Sequence, residues 1–224
     1  MKAMLLAAGR GERLRPLTDR TPKALVPVGG KPLIAWHLER LAASGCREAV
    51  INVSHLAQQI VDFVGDGKRF GVRVAYSREA EPLETAGGIA QAQPLLGEPP
   101  FLLINADIYC EVDFKALLAY PLGAMMAHLV LVPNPAHRAQ GDFSLRERMV
   151  SKEGSPRYTY SGVAVMSPQL VRTIRRGEKA PLAPLLFSAA AERRITGEVF
   201  EGLWQDVGTM DRLAELESQL ASRK

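Results

Sequence analysis

Short apolar segments alternate with helical patterns through the first half of the chain, and this alternation constrains the fold more than any other feature. Because strands and helices bury their apolar residues at different spacings, the two kinds of segment can be told apart. The pattern predicts, in chain order, a strand over 2–7, a helix over 31–45, a strand over 48–53, a helix over 55–65, a strand over 72–77, a helix over 86–96 and a strand over 101–107. Repeated strand-helix-strand units predict an α/β fold with a doubly wound, mostly parallel sheet, whose ligands bind beyond the carboxyl ends of the strands.

The alternation becomes less regular after Asp113. Residues 124–132 form another apolar segment, and residues 142–167 alternate around turn-forming residues from Lys152 to Pro156, which predicts a small accessory β-hairpin beside the main sheet. Residues 211–223 predict a closing helix. A chain of 224 residues with 47% hydrophobic content can form one full core, so we expect a single domain over 1–224.

Charge and cysteine content narrow the class of protein. The net charge of +4 is mild, which argues against general nucleic-acid binding and allows a local site for an acidic small molecule. Cys46 and Cys110 form no C-x-x-C pair, and no apolar stretch approaches the 18 residues of a membrane span. We therefore expect a cytoplasmic protein without a nucleic-acid or membrane partner.

The loop after the first strand combines glycines with positive charge. Gly9 and Gly11 allow main-chain amides to approach an anion closely, while Arg13 and Lys23 supply charge, so phosphate is the expected guest. The loop is not a dinucleotide fingerprint, because Leu14 occupies the place of the third glycine. It is not a Walker loop either, because its lysine follows a proline.

Five segments of the chain carry a resemblance to a known family. LAAGRGERLRPLTDRTPKALVPVGGKPLI at 6–34 resembles the signature of the sugar-phosphate nucleotidyltransferases. The segments similar to later parts of the family pattern are EPLETAGGIAQA (81–92), FLLINAD (101–107), YTYSGVAV (158–165) and WQDVGT (204–209). The resemblance implies a Rossmann-like nucleotidyltransferase fold, with a nucleotide-binding half over about 1–112 and a sugar-binding half over about 113–224. It also implies transfer of a nucleoside monophosphate from a nucleoside triphosphate to a sugar 1-phosphate, with release of pyrophosphate.

The resemblance assigns roles to individual residues. Arg13 is expected to hold the β- and γ-phosphates, Lys23 to approach the phosphates at the reaction centre, and Asp107 and Asp206 to hold Mg²⁺; these four are the expected catalytic residues. The expected nucleotide-binding residues are Leu6, Ala7, Ala8, Gly9, Arg10, Gly11, Glu81, Ala86, Gly87, Gly88 and Asn105. The expected sugar-binding residues, which align only loosely, are Gly141, Glu153, Tyr160, Ser161 and Gly162.

Several positions depart from the family pattern. Glu84 stands where common relatives have glycine, which leaves uracil, guanine and thymine hard to separate. A Glu-Lys-Pro segment, which supplies a second phosphate-binding lysine in several relatives, has no clear counterpart; Lys152 or a second metal ion is the expected substitute. The four histidines lack metal-ligand spacing, and both tryptophans are expected to pack in the core.

Within the family, the resemblance favours UMP transfer from UTP to N-acetylmuramic acid 1-phosphate, a step of bacterial cell-wall recycling. Arg146, Arg148 and Arg157 are the candidates for binding the lactyl carboxylate of that sugar. The alternatives are mannose-1-phosphate guanylyltransfer and a non-catalytic nucleotide-binding regulatory module; a dinucleotide oxidoreductase is more distant. We expect a monomer or a small homo-oligomer.

Overall fold

A nine-stranded sheet, flanked by helices, organises the computed structural model, which describes residues 1–223. The strands are β1 (Ala3–Leu6), β2 (Pro27–Val28), β3 (Lys31–Pro32), β4 (Glu48–Val53), β5 (Arg73–Arg78), β6 (Phe101–Asn105), β7 (Ile108–Cys110), β8 (Ala127–Val132), β9 (Phe143–Arg146), β10 (Met149–Ser151), β11 (Arg157–Met166), β12 (Ile195–Val199) and β13 (Trp204–Asp206). The helices are α1 (Leu33–Ala43), α2 (Ala57–Val64), α3 (Glu84–Leu96), α4 (Phe114–Leu118), α5 (Ala183–Ala191) and α6 (Met210–Ala221). The strand order in the large sheet is β5-β4-β1-β6-β11-β8-β12-β10-β9.

The first four strands of this order are parallel, as the alternation predicts. Successive residues of β1 face opposite sides: Leu5 packs in one core cluster with Leu38 of α1, and Met4 packs in another with Ile89 of α3. In register, Leu6 lies opposite both Asn52 of β4 and Asn105 of β6. The carboxyl ends of three strands are therefore level, which places the loops that follow them at one edge.

The second half of the sheet corrects the expectation of a mostly parallel sheet. Across the nine strands, four pairings are parallel and five are antiparallel. The central β11 runs antiparallel to both β6 and β8, which are its neighbours. Hydrophobic alternation marks a strand as buried but carries no information on its direction, so the sequence could not distinguish these cases.

The hairpin is present, but its turn is not where the sequence predicted it. Strands β9 and β10 pair antiparallel around Glu147 and Arg148, whose φ angles are 49° and 67°. Two successive positive φ angles are typical of a type I′ turn, which usually carries asparagine or glycine, so this pair gave no turn signal. Residues 152–156 instead link β10 to β11, and β9 pairs with β11 as well, so the hairpin is part of the main sheet.

The closing helix α6 packs beneath the basic loop. It begins after Thr209, whose hydroxyl accepts a hydrogen bond from the Arg212 amide, as an N-cap does. Leu216 and Leu220 of α6 share a buried cluster with Leu14 of the loop. The chain's last helix therefore supports its first loop. No helix in residues 1–223 has the length and apolar character needed to cross a membrane.

Candidate active site

The basic loop leaves β1 and passes through three short 3-10 segments, Glu12–Leu14, Leu17–Asp19 and Lys23–Leu25. Gly11 has a φ angle of 66°, and a Cβ at this position would lie 2.8 Å from the methyl group of Thr18. The Thr18 hydroxyl donates a hydrogen bond of 2.8 Å to the Gly11 carbonyl. The loop therefore needs glycine here for its backbone angle and for this close contact.

A cavity that we call the loop cavity runs along this segment. Its lining residues are Gly9, Arg10, Gly11, Glu12, Arg13, Lys23, Glu81, Pro82, Asp107, Lys179 and Gly208. Four of these side chains are cationic, and Arg13 is exposed while the adjacent Leu14 is fully buried. The buried leucine fixes the loop to the core, so the arginine extends from an anchored backbone. This arrangement suits a ligand with several negative charges.

Lys23 and Asp107 form an ion pair where the loop meets the end of β6. Lys23 Nζ lies 2.5 Å from Asp107 Oδ2, and the two side chains are 11% and 39% exposed. Because the ammonium group is nearly enclosed, the carboxylate fixes its position. Asp107 also lines two further cavities, so its carboxylate stands at the junction of all three.

Asp206 lies beside this junction because β13 pairs with β7. The pairing sets Asp206 opposite Ile108, the residue after Asp107, and the Val207 amide donates a hydrogen bond of 2.9 Å to the Asp107 carbonyl. Arg212 donates a hydrogen bond to Asp206 Oδ2. The two aspartates predicted to act together thus line one cavity.

The second oxygen of Asp206 provides a test of whether a divalent cation fits. Asp206 Oδ1 is buried and, among the described residues, has no hydrogen-bond partner; His137 Nε2 lies 3.4 Å away. In residues 1–223 no three His, Cys, Asp or Glu side chains cluster as a complete metal site. Mg²⁺ commonly takes one or two carboxylates and completes its shell with phosphate oxygens and water, so the two aspartates fit such an ion.

Asn52 and Glu79 connect the basic loop to the start of α3. The Ala7 amide donates to Asn52 Oδ1 at 2.8 Å, and Asn52 Nδ2 donates to Glu79 Oε1 at 2.7 Å. The Leu83 amide completes the chain with a 2.9 Å hydrogen bond to Glu79 Oε2. Burial raises the pKa of the Glu79 carboxyl, against the effect of these two hydrogen bonds.

This network lines a second cavity, which we call the strand-end cavity. Its lining residues are Leu6, Ala7, Ala8, Gly9, Lys23, Ala24, Asn52, Glu79, Pro82, Glu84, Thr85, Asn105, Ala106 and Asp107. Helix α3 begins two residues before the predicted residue 86, so Thr85 lies in its first turn and is not its cap. The Ala86 and Gly87 amides donate to the Ala180 carbonyl at 3.0 and 3.1 Å. Two residues expected to bind the nucleotide therefore have their amides hydrogen-bonded within the protein.

A third cavity of about 490 Å³, which we call the wide cavity, lies on the other side of Asp107. Its wall between β11 and α5 is largely apolar and includes Phe143, Pro181, Leu182, Ala183, Leu186 and Phe187. Its polar lining includes Arg13, Asn105, Arg138, Asp142, Thr159, Tyr160, Ser161, Trp204 and Asp206. Burial raises the pKa of Tyr160, whose hydroxyl is without a hydrogen-bond partner in residues 1–223.

Comparisons with known proteins agree with this architecture. A family model described as Nucleotidyl transferase matches residues 2–141, which is more than half of the chain. The chain belongs to the nucleotidyl transferase family. One relative, the N-acetylmuramate alpha-1-phosphate uridylyltransferase of Neisseria meningitidis serogroup B, is 50% identical over 97% of each chain. A mannose-1-phosphate guanyltransferase of Schizosaccharomyces pombe is 32% identical over 93% of this chain and 61% of its own.

Among solved structures, a Bacillus anthracis protein assigned as a glucose-1-phosphate thymidylyltransferase superposes with a TM-score of 0.87. The superposition covers 98% of this nucleotidyl transferase and 95% of that chain, at 21% identity. At this identity the similarity concerns the fold alone. It confirms the α/β nucleotidyltransferase fold that the sequence predicted.

The sugar-binding predictions are divided between two regions of this nucleotidyl transferase. Tyr160 and Ser161 line the wide cavity, where the Ser161 hydroxyl donates to the Val130 carbonyl at 2.7 Å. Gly162 has a φ angle of 84°, and a Cβ there would lie 2.6 Å from Asn105 Nδ2, so glycine allows β11 to approach the end of β6. Glu153 lines a separate open cavity. Gly141 forms a turn, in which its amide donates to the Arg138 carbonyl at 2.9 Å.

The arginines proposed for an acidic sugar have other surroundings. Arg157 donates hydrogen bonds to four main-chain carbonyls, those of Gln140, Gly141, Asp142 and Lys152, and so holds two loops together. Arg146 ends β9, and Arg148 lies in the hairpin turn with its guanidinium 6.0 Å from the Tyr120 ring. The arginines that line the wide cavity are Arg13 and Arg138.

Sequence reasoning missed several residues of the site in this nucleotidyl transferase. They are Asn52, Glu79, Thr85, His137, Arg138, Asp142, Lys179, Trp204 and Arg212. A polar residue at the end of an otherwise apolar strand, such as Asn52 in EAVINV, is a signal that could have been used. Lys179 and Arg212 reach the site from distant loops and helices, which local patterns do not reveal.

Proposed function

We propose that this nucleotidyl transferase transfers UMP from UTP to N-acetylmuramic acid 1-phosphate and releases pyrophosphate. The observation that carries the proposal is the meeting of three cavities at Asp107, whose carboxylate is paired with Lys23. A triphosphate, its base and a second phosphorylated substrate each have a compartment, and their reacting ends meet at one point. The identity of 50% with the Neisseria meningitidis uridylyltransferase supports the choice of nucleotide and sugar.

Arg13 and Lys23 stabilise the negative charge of the phosphates in this reaction. A sugar phosphate oxygen attacks the α-phosphorus in line, and pyrophosphate departs along the loop cavity. The amides of Ala8–Gly11 line the triphosphate, Arg13 binds the β- and γ-phosphates, and Lys23 binds phosphate oxygens at the reaction centre. Negative charge that develops on the leaving group meets a fixed cation, which is the largest contribution that such a site makes.

The nucleoside occupies the strand-end cavity. Leu6, Ala7 and Asn105 border this compartment, and Glu81 borders the loop cavity beside it. The base lies against the first turn of α3, above the buried Ala86–Gly88 segment. The Asn52–Glu79 network holds that turn at a fixed distance from the loop, so the base and the phosphates are positioned together.

In the proposed reaction, Asp107 and Asp206 would hold Mg²⁺. When bound, the cation neutralises phosphate charge and orients the reacting oxygens. Asp206 Oδ1, which is buried and has no hydrogen-bond partner in residues 1–223, supports this assignment. Lys23 and Arg212 each hold one of the carboxylates, which keeps both side chains turned to the cavity wall before the substrates arrive.

Arg138, which lines the wide cavity, supports the assignment of an acidic sugar as the substrate. Its two hydrogen bonds to Asp142, at 3.3 and 3.1 Å, both come from Nη1. The Nε–Nη2 edge is therefore the one that can bind a substrate carboxylate in bidentate fashion. N-acetylmuramic acid differs from N-acetylglucosamine by a lactyl group that carries such a carboxylate. The apolar wall near Phe187 suits the methyl groups of the acetyl and lactyl substituents.

A grid of substrates tests the proposal. Pyrophosphate release is measured with UTP, GTP, dTTP and ATP against the 1-phosphates of N-acetylmuramic acid, N-acetylglucosamine, mannose and glucose, each with Mg²⁺. UTP with N-acetylmuramic acid 1-phosphate should give the highest kcat/KM. A higher value for GTP with mannose 1-phosphate would favour the alternative represented by the Schizosaccharomyces pombe mannose-1-phosphate guanyltransferase.

A non-catalytic nucleotide-binding module is the remaining alternative. Such a module could omit the leaving-group arginine and the two carboxylates, yet Arg13, Asp107 and Asp206 are all present at the cavities. Binding of UTP without turnover on any sugar phosphate in the grid would favour this alternative.

We also propose that the reaction takes place in the cytoplasm, by a monomer or a small homo-oligomer, as part of cell-wall recycling. Cys46 and Cys110 are both buried free thiols, in keeping with a reducing compartment. Size-exclusion chromatography with light scattering measures the oligomeric state.

A further inference from the structure

Lys179 and Glu84 face each other where the loop cavity meets the strand-end cavity. Lys179 lines the first and Glu84 lines the second, and Lys179 Nζ lies 3.6 Å from Glu84 Oε1. The backbone beside each residue is also joined, since the Ala180 amide donates a hydrogen bond of 3.0 Å to the Leu83 carbonyl. The lysine therefore has a fixed origin next to the glutamate, although it follows it by almost a hundred residues.

Stability does not explain this pair. Glu84 has a φ angle of 60°, a left-handed conformation that is costly for a residue with a side chain. The pair is largely solvated, with side chains 66% and 43% exposed, and ion pairs of this kind return little free energy. A glycine would adopt the same backbone angle without the cost. A strained backbone position whose ion pair returns little stability points to a role in ligand binding.

The charge distribution around the loop cavity indicates that role. Lys23 is paired with Asp107 at 2.5 Å, so much of its charge is already compensated before a ligand binds. Lys179 has a longer and weaker contact and an exposed ammonium group, which is free to turn toward an anion. A triphosphate brings several negative charges into this cavity, and each additional cation within contact distance stabilises it.

Lys152 is differently placed from Lys179. It lines an open cavity with Asn134 and Arg157, and its ammonium group lies 5.0 Å from the Phe187 ring centre. Lys152 is expected from the sequence to supply the second phosphate-binding lysine. Lys179 is an alternative to it that borders the loop cavity itself.

We propose that Lys179 binds the terminal phosphates of UTP and that Glu84 positions it. The inference rests on the proposed function, which puts the triphosphate in the loop cavity. This arrangement accounts for two departures from the family pattern together. Glu84 stands in place of a glycine, and Lys179 takes the role of the missing Glu-Lys-Pro lysine. Glu84 orients the ammonium group in the free protein and releases it to the phosphates when UTP binds.

Titration calorimetry of UTP and UMP, with Mg²⁺ and without sugar phosphate, tests the role of Lys179. Lys179→Gln should weaken UTP binding about tenfold or more, the effect of losing one charge-assisted contact, and UMP binding less than about twofold. Lys68→Gln is the matched control, because Lys68 is also exposed and ion-paired, to Asp66 at 2.8 Å. Equal UTP affinity in wild type and Lys179→Gln, or a loss confined to Lys152→Gln, would overturn the proposal.

Glu84→Gly separates positioning from folding. The variant removes the ion pair and the backbone strain together, so its melting temperature should equal or exceed that of the wild type while its UTP affinity falls about two- to fivefold. In the Lys179→Gln background the same substitution should have no further effect on UTP binding. A fall in melting temperature with unchanged UTP affinity would show that Glu84 is merely structural.

The proposed function and the assignment of Lys179 can be refuted by different results. If the wild-type protein binds none of the four nucleoside triphosphates, the proposed function is wrong. If it binds UTP but Lys179→Gln binds UTP equally well, the proposed function stands and the assignment of Lys179 is wrong.

Discussion

Arg13 is the residue whose loss should most affect the chemical step at little cost to the fold. Its side chain is exposed at the loop cavity, and the Arg13→Ala variant should lose about 2–4 kcal/mol of transition-state stabilisation. We expect kcat to fall about 30- to 1000-fold, with an unchanged melting temperature. Arg15→Ala is the control, because Arg15 lies in the same loop and pairs with Asp19 at 3.1 Å. Near-normal turnover of Arg13→Ala at saturating UTP would exclude the assigned role.

Replacing either Asp107 or Asp206 with asparagine should reduce metal binding and turnover together. The amide preserves the shape of the side chain but removes one charge, so we expect turnover to fall at least ~100-fold. Each substitution also leaves a nearly enclosed cation without its partner, Lys23 or Arg212, which costs about 1–3 kcal/mol of stability. Mn²⁺ affinity in the presence of UTP, measured by electron paramagnetic resonance, should fall in both variants, and excess Mg²⁺ should restore part of the turnover. Unchanged Mn²⁺ affinity in either variant contradicts a shared ion.

Arg138 can be tested against its proposed ligand by changing the protein and the substrate separately. The wild-type protein should prefer N-acetylmuramic acid 1-phosphate over its lactyl amide by about 10- to 100-fold in kcat/KM, as expected for a charge-assisted bidentate contact. In Arg138→Gln the preference should fall below about threefold, because the positive charge that binds the carboxylate has been removed. Arg146→Gln, which changes an arginine at the end of β9 that does not line the wide cavity, should keep the wild-type preference. An equal loss on both substrates in Arg138→Gln would indicate a structural role.

At the scale of elements, His37 makes the contact between α1 and β7 sensitive to acid. Its Nε2 lies 2.8 Å from the Ile108 carbonyl, and burial lowers the pKa of His37 to about 4. Between pH 6.5 and 4 the unfolded chain binds a proton there and the folded chain does not, so stability falls as the pH falls, by up to ~3 kcal/mol. His37→Gln should remove this part of the pH dependence, measured by urea unfolding at several pH values. His55→Gln is the control for the loss of one imidazole; a matching change in that variant would contradict the assignment to His37.

The elements also show which parts of the molecule the sequence could predict. Strands β1, β4 and β6 are largely apolar segments that alternate with helical patterns, so both their burial and their alignment at one edge follow from local patterns. The β9–β10 turn did not, because Glu147 and Arg148 adopt positive φ angles without a glycine or asparagine. The loop with Arg13 and Lys23 could be predicted from the sequence, because all its parts are close in sequence. Lys179 and Arg212 come from the far end of the chain, where only tertiary packing decides what they meet.

At the scale of the whole molecule, the central position of β11 joins the two halves. Val163 and Val165 of β11 pair with Ile104 and Leu102 of β6, and the same strand pairs with β8. A fragment of residues 1–112 would expose the buried β6 edge and lose β13, the partner of β7. Such a fragment should therefore show no cooperative urea transition by circular dichroism, whereas the full chain should show one. A cooperative transition in the fragment would indicate two independent domains in place of the predicted one.

The wide cavity has a consequence for how acceptor choice can change. Its apolar wall comes from Phe143 on β9 and from Leu186 and Phe187 on α5, whereas the loop cavity proposed for the triphosphate is built from the first loop and from residues that follow the parallel strands. Substitutions at Leu186 and Phe187 of α5 would therefore reshape the proposed acceptor compartment without altering Arg13, Lys23 or the two aspartates. Directed evolution toward other sugars can be confined to these few positions, with the catalytic apparatus inherited unchanged.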